Sequence, residues 1–164
     1  MAAPTDTQTL AFSGIDLTEL AAALERGVDP AGNPIESFVD EDGGWPMRCC
    51  LRDSSPGDRI AIISWTPFPW TGPYAETGPI VVHATPGCSP STADTLPADL
   101  DQRPMVLRPY GHDRRIAYHR VRHVAADQGV AEQAAALLEL DDVDFVHGRN
   151  LTGGCYAFTA RRVP

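Results

Sequence analysis

The sequence predicts an α+β fold: a mostly antiparallel sheet with two helices packed on one face. Apolar runs separated by turn-forming residues recur in hairpin-like pairs. Helical periodicity occurs in only two segments, far apart, so the β-α alternation of a doubly wound parallel sheet is missing. The third observation is size. With 164 residues, 43% hydrophobic and 21% charged, the chain suits one domain with a single core, spanning 1–164.

Taken in order, residues 1–8 read as a loose tail, and Thr9 to Ser13 as a first short strand. Asp16 and Glu19 have the spacing of a capping box, and Leu17, Leu20, Ala21 and Leu24 recur on one helical face until Gly27 and Pro30 end it. The stretch from Gly32 to Gly44 is a polar loop with a strand near Phe38. Met47 to Leu51 and Arg59 to Trp65 predict a hairpin across a turn-rich segment from Asp53 to Asp58. Thr66 to Gly78 holds Pro67, Phe68, Pro69, Trp70, Pro73 and Tyr74, whose prolines forbid helix and inner strand, so it is an aromatic loop. Such a loop is either the wall of a site or a plug over the core. Pro79 to His83 is a strand and Thr85 to Ala98 a connection. Met105 to Tyr110 and Arg115 to Val124 form a second hairpin. Asp127 caps a helix to Leu140, and Asp144 to His147 and Gly154 to Arg161 close the chain as strands.

Composition excludes several chemistries. All thirteen basic residues are arginine, so a lysine Schiff base, a lysine-anchored pyridoxal phosphate and a Walker-type phosphate loop are ruled out. The net charge of −9, with a pI near 4.8, argues against nucleic acid and anionic membrane as partners. Within that acidic chain, Arg103, Arg108, Arg114, Arg115, Arg120 and Arg122 form a cationic segment, with His112, His119 and His123 interleaved. It either binds an anion or pairs with the domain's own carboxylates. No export signal or membrane span is visible, so the expected location is cytoplasmic and the four cysteines are expected to be reduced.

No metal and no organic cofactor are assigned. His119 and His123 fall on a predicted strand, where four residues span roughly 13 Å, too far to share an ion. The run Asp141, Asp142 and Asp144 reads as solvated surface. The cysteines show no C-x-x-C spacing; Cys50, His83, Cys88 and Cys155 could meet in space, but buried thiols of a reduced core are the favoured reading. The densest set of reactive side chains is C-terminal: His147, Arg149, Asn150, Cys155 and Tyr156 offer a base, a guanidinium, a carboxamide, a thiol and a phenol.

The chain resembles a small bacterial family known as domain of unknown function 1203. The residues that carry the resemblance run from about 46 to 162: Pro46-Met47-Arg48-Cys49-Cys50-Leu51-Arg52-Asp53 with Pro56-Gly57-Asp58; Pro73-Tyr74; Gly78-Pro79-Ile80-Val81-Val82-His83 with Cys88; Leu107-Arg108-Pro109-Tyr110; and Val146-His147 with Asn150 and Gly154-Cys155-Tyr156. Members often carry cysteine where this chain has Met47, which weakens a thiol or metal role for that segment. The resemblance implies no reaction. The expected function is a small enzyme without organic cofactor, using acid/base chemistry (elimination, cyclisation or hydrolysis) on a polar, anionic metabolite. His147, Tyr156 and Cys155 would be catalytic, and Arg108, Arg149, Asn150 and Tyr74 would hold the substrate. The alternative is a non-catalytic ligand-binding or partner protein, which predicts an exposed apolar patch around Trp65, Phe68 and Trp70.

Overall fold

The computed structural model describes residues 9–85, 87–88 and 92–164, and the predicted tail at 1–8 lies outside them. Nine strands and three helices follow in the order β1 (Leu10–Ser13), α1 (Leu17–Arg26), β2 (Ser37–Val39), β3 (Arg59–Trp65), β4 (Gly78–His83), β5 (Thr92–Ala93), α2 (Ala98–Asp101), β6 (Met105–Tyr110), β7 (Arg122–Val124), α3 (Val130–Leu138), β8 (Phe145–Asn150) and β9 (Tyr156–Arg162). They make a six-stranded sheet in the order β5-β1-β9-β8-β6-β7 and a three-stranded sheet β2-β3-β4, with antiparallel neighbours in both. The fold is α+β, as expected, with three helices instead of two.

Local chemistry accounts for the ends of α1. The Asp16 carboxylate accepts the amides of Thr18 and Glu19, and Gly27 leaves the helix in the left-handed region at φ 69°. Glu19 does not complete the expected box; its carboxylate accepts the indole N–H of Trp65 at 3.0 Å. The helix α3 begins at Gly129 and not at the expected cap Asp127, which stands at φ 62°. Its first-turn amide at Ala131 instead donates to Asp101 of α2 at 2.7 Å.

The central strand β8 is buried on both faces from Phe145 to Arg149. On one side, Leu107, Val146, Phe158 and Ala160 pack under α2 and α3 with Leu100, Val130, Ala134 and Leu137. On the other side Phe68, Tyr110 and Phe145 form an aromatic cluster, and Tyr156 joins the core of the small sheet with Ile60, Ile63, Trp65 and Val82. Leu20 and Ala23 of α1 are buried, so this helix packs with the small sheet while α2 and α3 cover the large one. The aromatic loop between β3 and β4 is a plug: Phe68 packs edge-on against the stacked pair Tyr110 and Phe145, and Trp65 is buried at the loop's base. The predicted exposed patch around Trp65, Phe68 and Trp70 is therefore not formed.

Two predicted strands fail. Met47 to Leu51 is a tight turn, with the Leu51 amide donating to the Met47 carbonyl and Leu51 at φ 60°, so β3 pairs with β2 and β4 and not with this segment. Of Arg115 to Val124 only Arg122–Val124 is strand; Tyr118–Arg120 is a 3-10 turn. No helix among the described residues is long and apolar enough to cross a membrane.

Candidate functional site

Strand register assembles the C-terminal cluster. In the large sheet Arg108 lies opposite His147 and His147 opposite Thr159, while Arg149 lies opposite Tyr156 across a β-bulge at Gly148/Arg149. Alternation puts Phe145, His147 and Arg149 on the face that meets the aromatic loop. The loop's neck is tied by the Thr66 and Thr77 hydroxyls at 2.6 Å, and between it and the β8–β9 turn lies a cleft of about 260 Å³. Arg149, Cys155 and Tyr156 line it, together with Trp65 and Glu76.

Glu76 is the centre of this cleft's electrostatics. One carboxylate oxygen accepts from Arg108 Nη1 at 2.9 Å, and the other lies 3.4 Å from Arg149 Nη1. Arg149 is almost wholly buried, and its Nε and Nη2 have no hydrogen-bond partner. A guanidinium held this way retains unspent donors, which are costly to bury. Arg108 thus reaches the cleft through Glu76, as a carboxylate-binding pair of arginines requires.

Three other predicted residues are placed differently. His147 is completely buried among Phe68, Tyr110, Phe145 and Tyr156, with ring centroids 4.8 to 5.2 Å away, and neither ring nitrogen has a partner. Burial, and then the charges of Arg149, Arg161 and Arg108, hold its pKa well below the ordinary histidine value, against a weaker opposing pull from the Pro67 carbonyl. Asn150 ends β8, where its carbonyl accepts the Gly154 amide; alternation turns its side chain to the face opposite Arg149. Tyr74 faces Tyr118 across 6.4 Å, away from the cleft. Tyr156 lines the cleft with its ring, but its hydroxyl is engaged by the Ser13 carbonyl at 3.1 Å and Thr159 at 2.8 Å. Burial pushes that phenol far up, so it stays protonated.

Half of the cationic segment's arginines, Arg103, Arg108 and Arg120, pair with the chain's own acids. Arg120 and His119 share Asp142 at 3.3 Å, Arg103 forks onto Asp53 at 2.8 Å, and Arg114 sits over Trp70. Asp142, from the acidic run, serves in these pairs.

A second cluster lies at the far end of the small sheet. Cys49, Cys50, His83 and Cys88 bring one ligand atom each to within 4.8 Å of all the others. His83 Nδ1 stands 3.3 Å from the Cys49 and Cys88 sulfurs and 3.9 Å from that of Cys50. Hydrogen bonds from Cys49 and Cys88 pull the Cys50 thiol well below its ordinary range, while the same crowding pushes Cys88 up. Three of these four are the residues expected to meet Cys155, which lies instead at the other cleft. A strand at 47–51 would send adjacent cysteines to opposite faces; the turn sends both to one side. Met47 is buried in the small-sheet core and is no member of the cluster.

No curated protein and no solved structure matches the chain. A family model does match, over residues 44–162, which include the two arginines, the β8–β9 turn and all four members of the Cys/His cluster. The chain belongs to the family described as "Protein of unknown function (DUF1203)".

Proposed function

We propose that the protein binds a small carboxylate-bearing ligand in the cleft under the aromatic loop, and that the ligand's acid takes the place of Glu76. The observation that carries this reading is the convergence of Arg108 and Arg149 on one loop-borne carboxylate. Two guanidiniums aimed at one point form a receptor for a planar anion. Glu76 is half-exposed and belongs to a loop, and its shorter pair, with the part-exposed Arg108, is of the kind worth about 0.2–1 kcal/mol, while a ligand's acid takes over the pairing of the buried Arg149. The four free thiols support a reducing, cytoplasmic setting.

Acid/base turnover is the second reading, and the observation in its favour is His147, neutral and unpartnered directly behind Arg149. Tyr156, which lines the cleft, and Phe68 of the loop both pack on its ring, so turnover requires the loop to lift. Binding without turnover asks for no such movement and is the preferred conclusion.

Calorimetric titration of wild type, Glu76→Gln and Arg149→Gln with mono- and dicarboxylates, phosphate and sulfate tests it. Glu76→Gln is expected to bind a carboxylate up to about fivefold more tightly than wild type, the equivalent of the Arg108 ion pair it removes. Arg149→Gln is expected to bind none. Failure of every anion to bind folded Glu76→Gln overturns the reading.

A further inference from the structure

We propose that Cys49, Cys50, His83 and Cys88 form a tetrahedral zinc site, closed to further ligands, that ties the 47–51 turn and the segment after β4 to the small sheet. It is independent of the anion cleft.

The backbone brings the four side chains together by ordinary hydrogen bonding. The Arg48 amide donates to the Val81 carbonyl at 2.9 Å and Met47 bridges Val81, which docks the turn alongside β4 two residues before His83. Leu51 at φ 60° bends the chain immediately after the two cysteines. Gly87 at φ 104° then turns the chain just ahead of Cys88.

Hydrogen bonding among the four side chains does not account for this arrangement. An imidazole nitrogen has one lone pair or one hydrogen, so Nδ1 can satisfy one thiol. Three sulfurs surround it at 3.3 to 3.9 Å. A zinc ion at the centre satisfies all four atoms at once. With Zn–S near 2.3 Å and Zn–N near 2.0 Å, a regular tetrahedron has N···S edges of about 3.5 Å and S···S edges of about 3.8 Å. The observed N···S separations bracket the first value, and the sulfurs, all within 4.8 Å of one another, reach the second by closing in by at most about 1 Å.

The surroundings fit as well. His83 Nε2 lies 3.1 Å from the Asp58 carboxylate, which also accepts the Ser55 amide at 2.8 Å. A proton on Nε2 leaves the lone pair of Nδ1 facing the sulfurs, the tautomer a metal requires, and a carboxylate behind a ligating histidine orients it. The His83 amide donates to the Cys49 sulfur at 3.3 Å, steadying a thiolate. Arg52 shares the neighbouring hollow. One Zn²⁺ binding to three thiols and a neutral imidazole releases three protons to solvent and leaves a net charge of minus one. Three thiolates and one histidine complete the coordination, so the site is structural and does not activate water. Asp58 acts here as a positioning residue.

The test begins with full-length protein purified without chelator and assayed for metal. Wild type and Cys155→Ser are expected to carry one zinc per chain and Cys88→Ser at most a tenth as much. Asp58→Asn should bind zinc about ten- to a hundredfold more weakly. Should Cys88→Ser fail to fold, wild type still decides the matter. After chelation and cobalt reconstitution it should show the thiolate charge-transfer and visible bands of a tetrahedral centre, and they should appear in Cys155→Ser but be weaker in Asp58→Asn at limiting cobalt. In the zinc form only Cys155 should react promptly with a thiol reagent. The proposal is overturned if wild type holds no stoichiometric zinc and gives no cobalt–thiolate band, if all four thiols react alike, or if a Cys49–Cys50 disulfide is found.

Discussion

His147 is a titratable side chain with no partner for a proton. The folded state keeps it neutral, so its folded pKa lies below the roughly 6.5 of an unfolded histidine. Below that pH the unfolded chain binds the extra proton, and the stability present above pH 6.5 is lost as the pH falls toward the folded pKa. His147→Phe keeps a ring in the aromatic pocket and removes the titration. Urea midpoints followed from pH 8 to 5 should fall more steeply for wild type than for the variant, with a difference approaching about 1.4 kcal/mol per pH unit. Parallel curves would mean that the imidazole is solvated, against the burial described above. The same residue shows the limit of reading side chains one at a time. Histidine beside arginine suggests a base in a site, yet whether it meets solvent depends on Phe68, 79 positions away in the chain (147 − 68).

Strand β8 gives the clearest case at the scale of an element. Its apolar and polar residues are buried together because helices cover one face and the aromatic loop the other. Gly148 is required by that packing: a Cβ there would stand 2.2 Å from the Phe158 ring. Gly148→Ala is expected to destabilise the protein by about 1–3 kcal/mol, measured by denaturant titration, because the ring is wedged in the core and cannot yield. A loss under a few tenths of a kcal/mol would show that Phe158 repacks freely. Segments with strong periodicity or caps, such as α1 and β6, were legible to within a residue or two. The 47–51 segment was not, since its apolar run suits a strand and only its hydrogen bonds to β4 make it a turn.

For the whole molecule the question is whether two sheets make one folding unit. Tyr156 of the large sheet packs edge-on against Trp65 of the small one at 5.5 Å, and Arg48 donates to the Tyr156 carbonyl at 2.6 Å across the same boundary. The one-domain expectation therefore predicts a single calorimetric transition with equal calorimetric and van't Hoff enthalpies, on the order of 110 kcal/mol near 60 °C. Two resolved transitions would make the sheets separate units and end that expectation.

Periodicity, caps and composition are local properties, so the fold class, most strands, both long helices and the exclusion of lysine chemistry are legible in the chain before it folds. The sequence also singles out Arg108, Arg149, Cys155 and Tyr156, which do gather around one cleft. The tertiary structure decided that Glu76 occupies that cleft, that His147 is sealed away, and that Cys49 rather than Cys155 joins Cys50, His83 and Cys88. These are meetings of residues far apart in the chain. Register and turn direction set them, and a one-residue change in either sends a side chain to the opposite face.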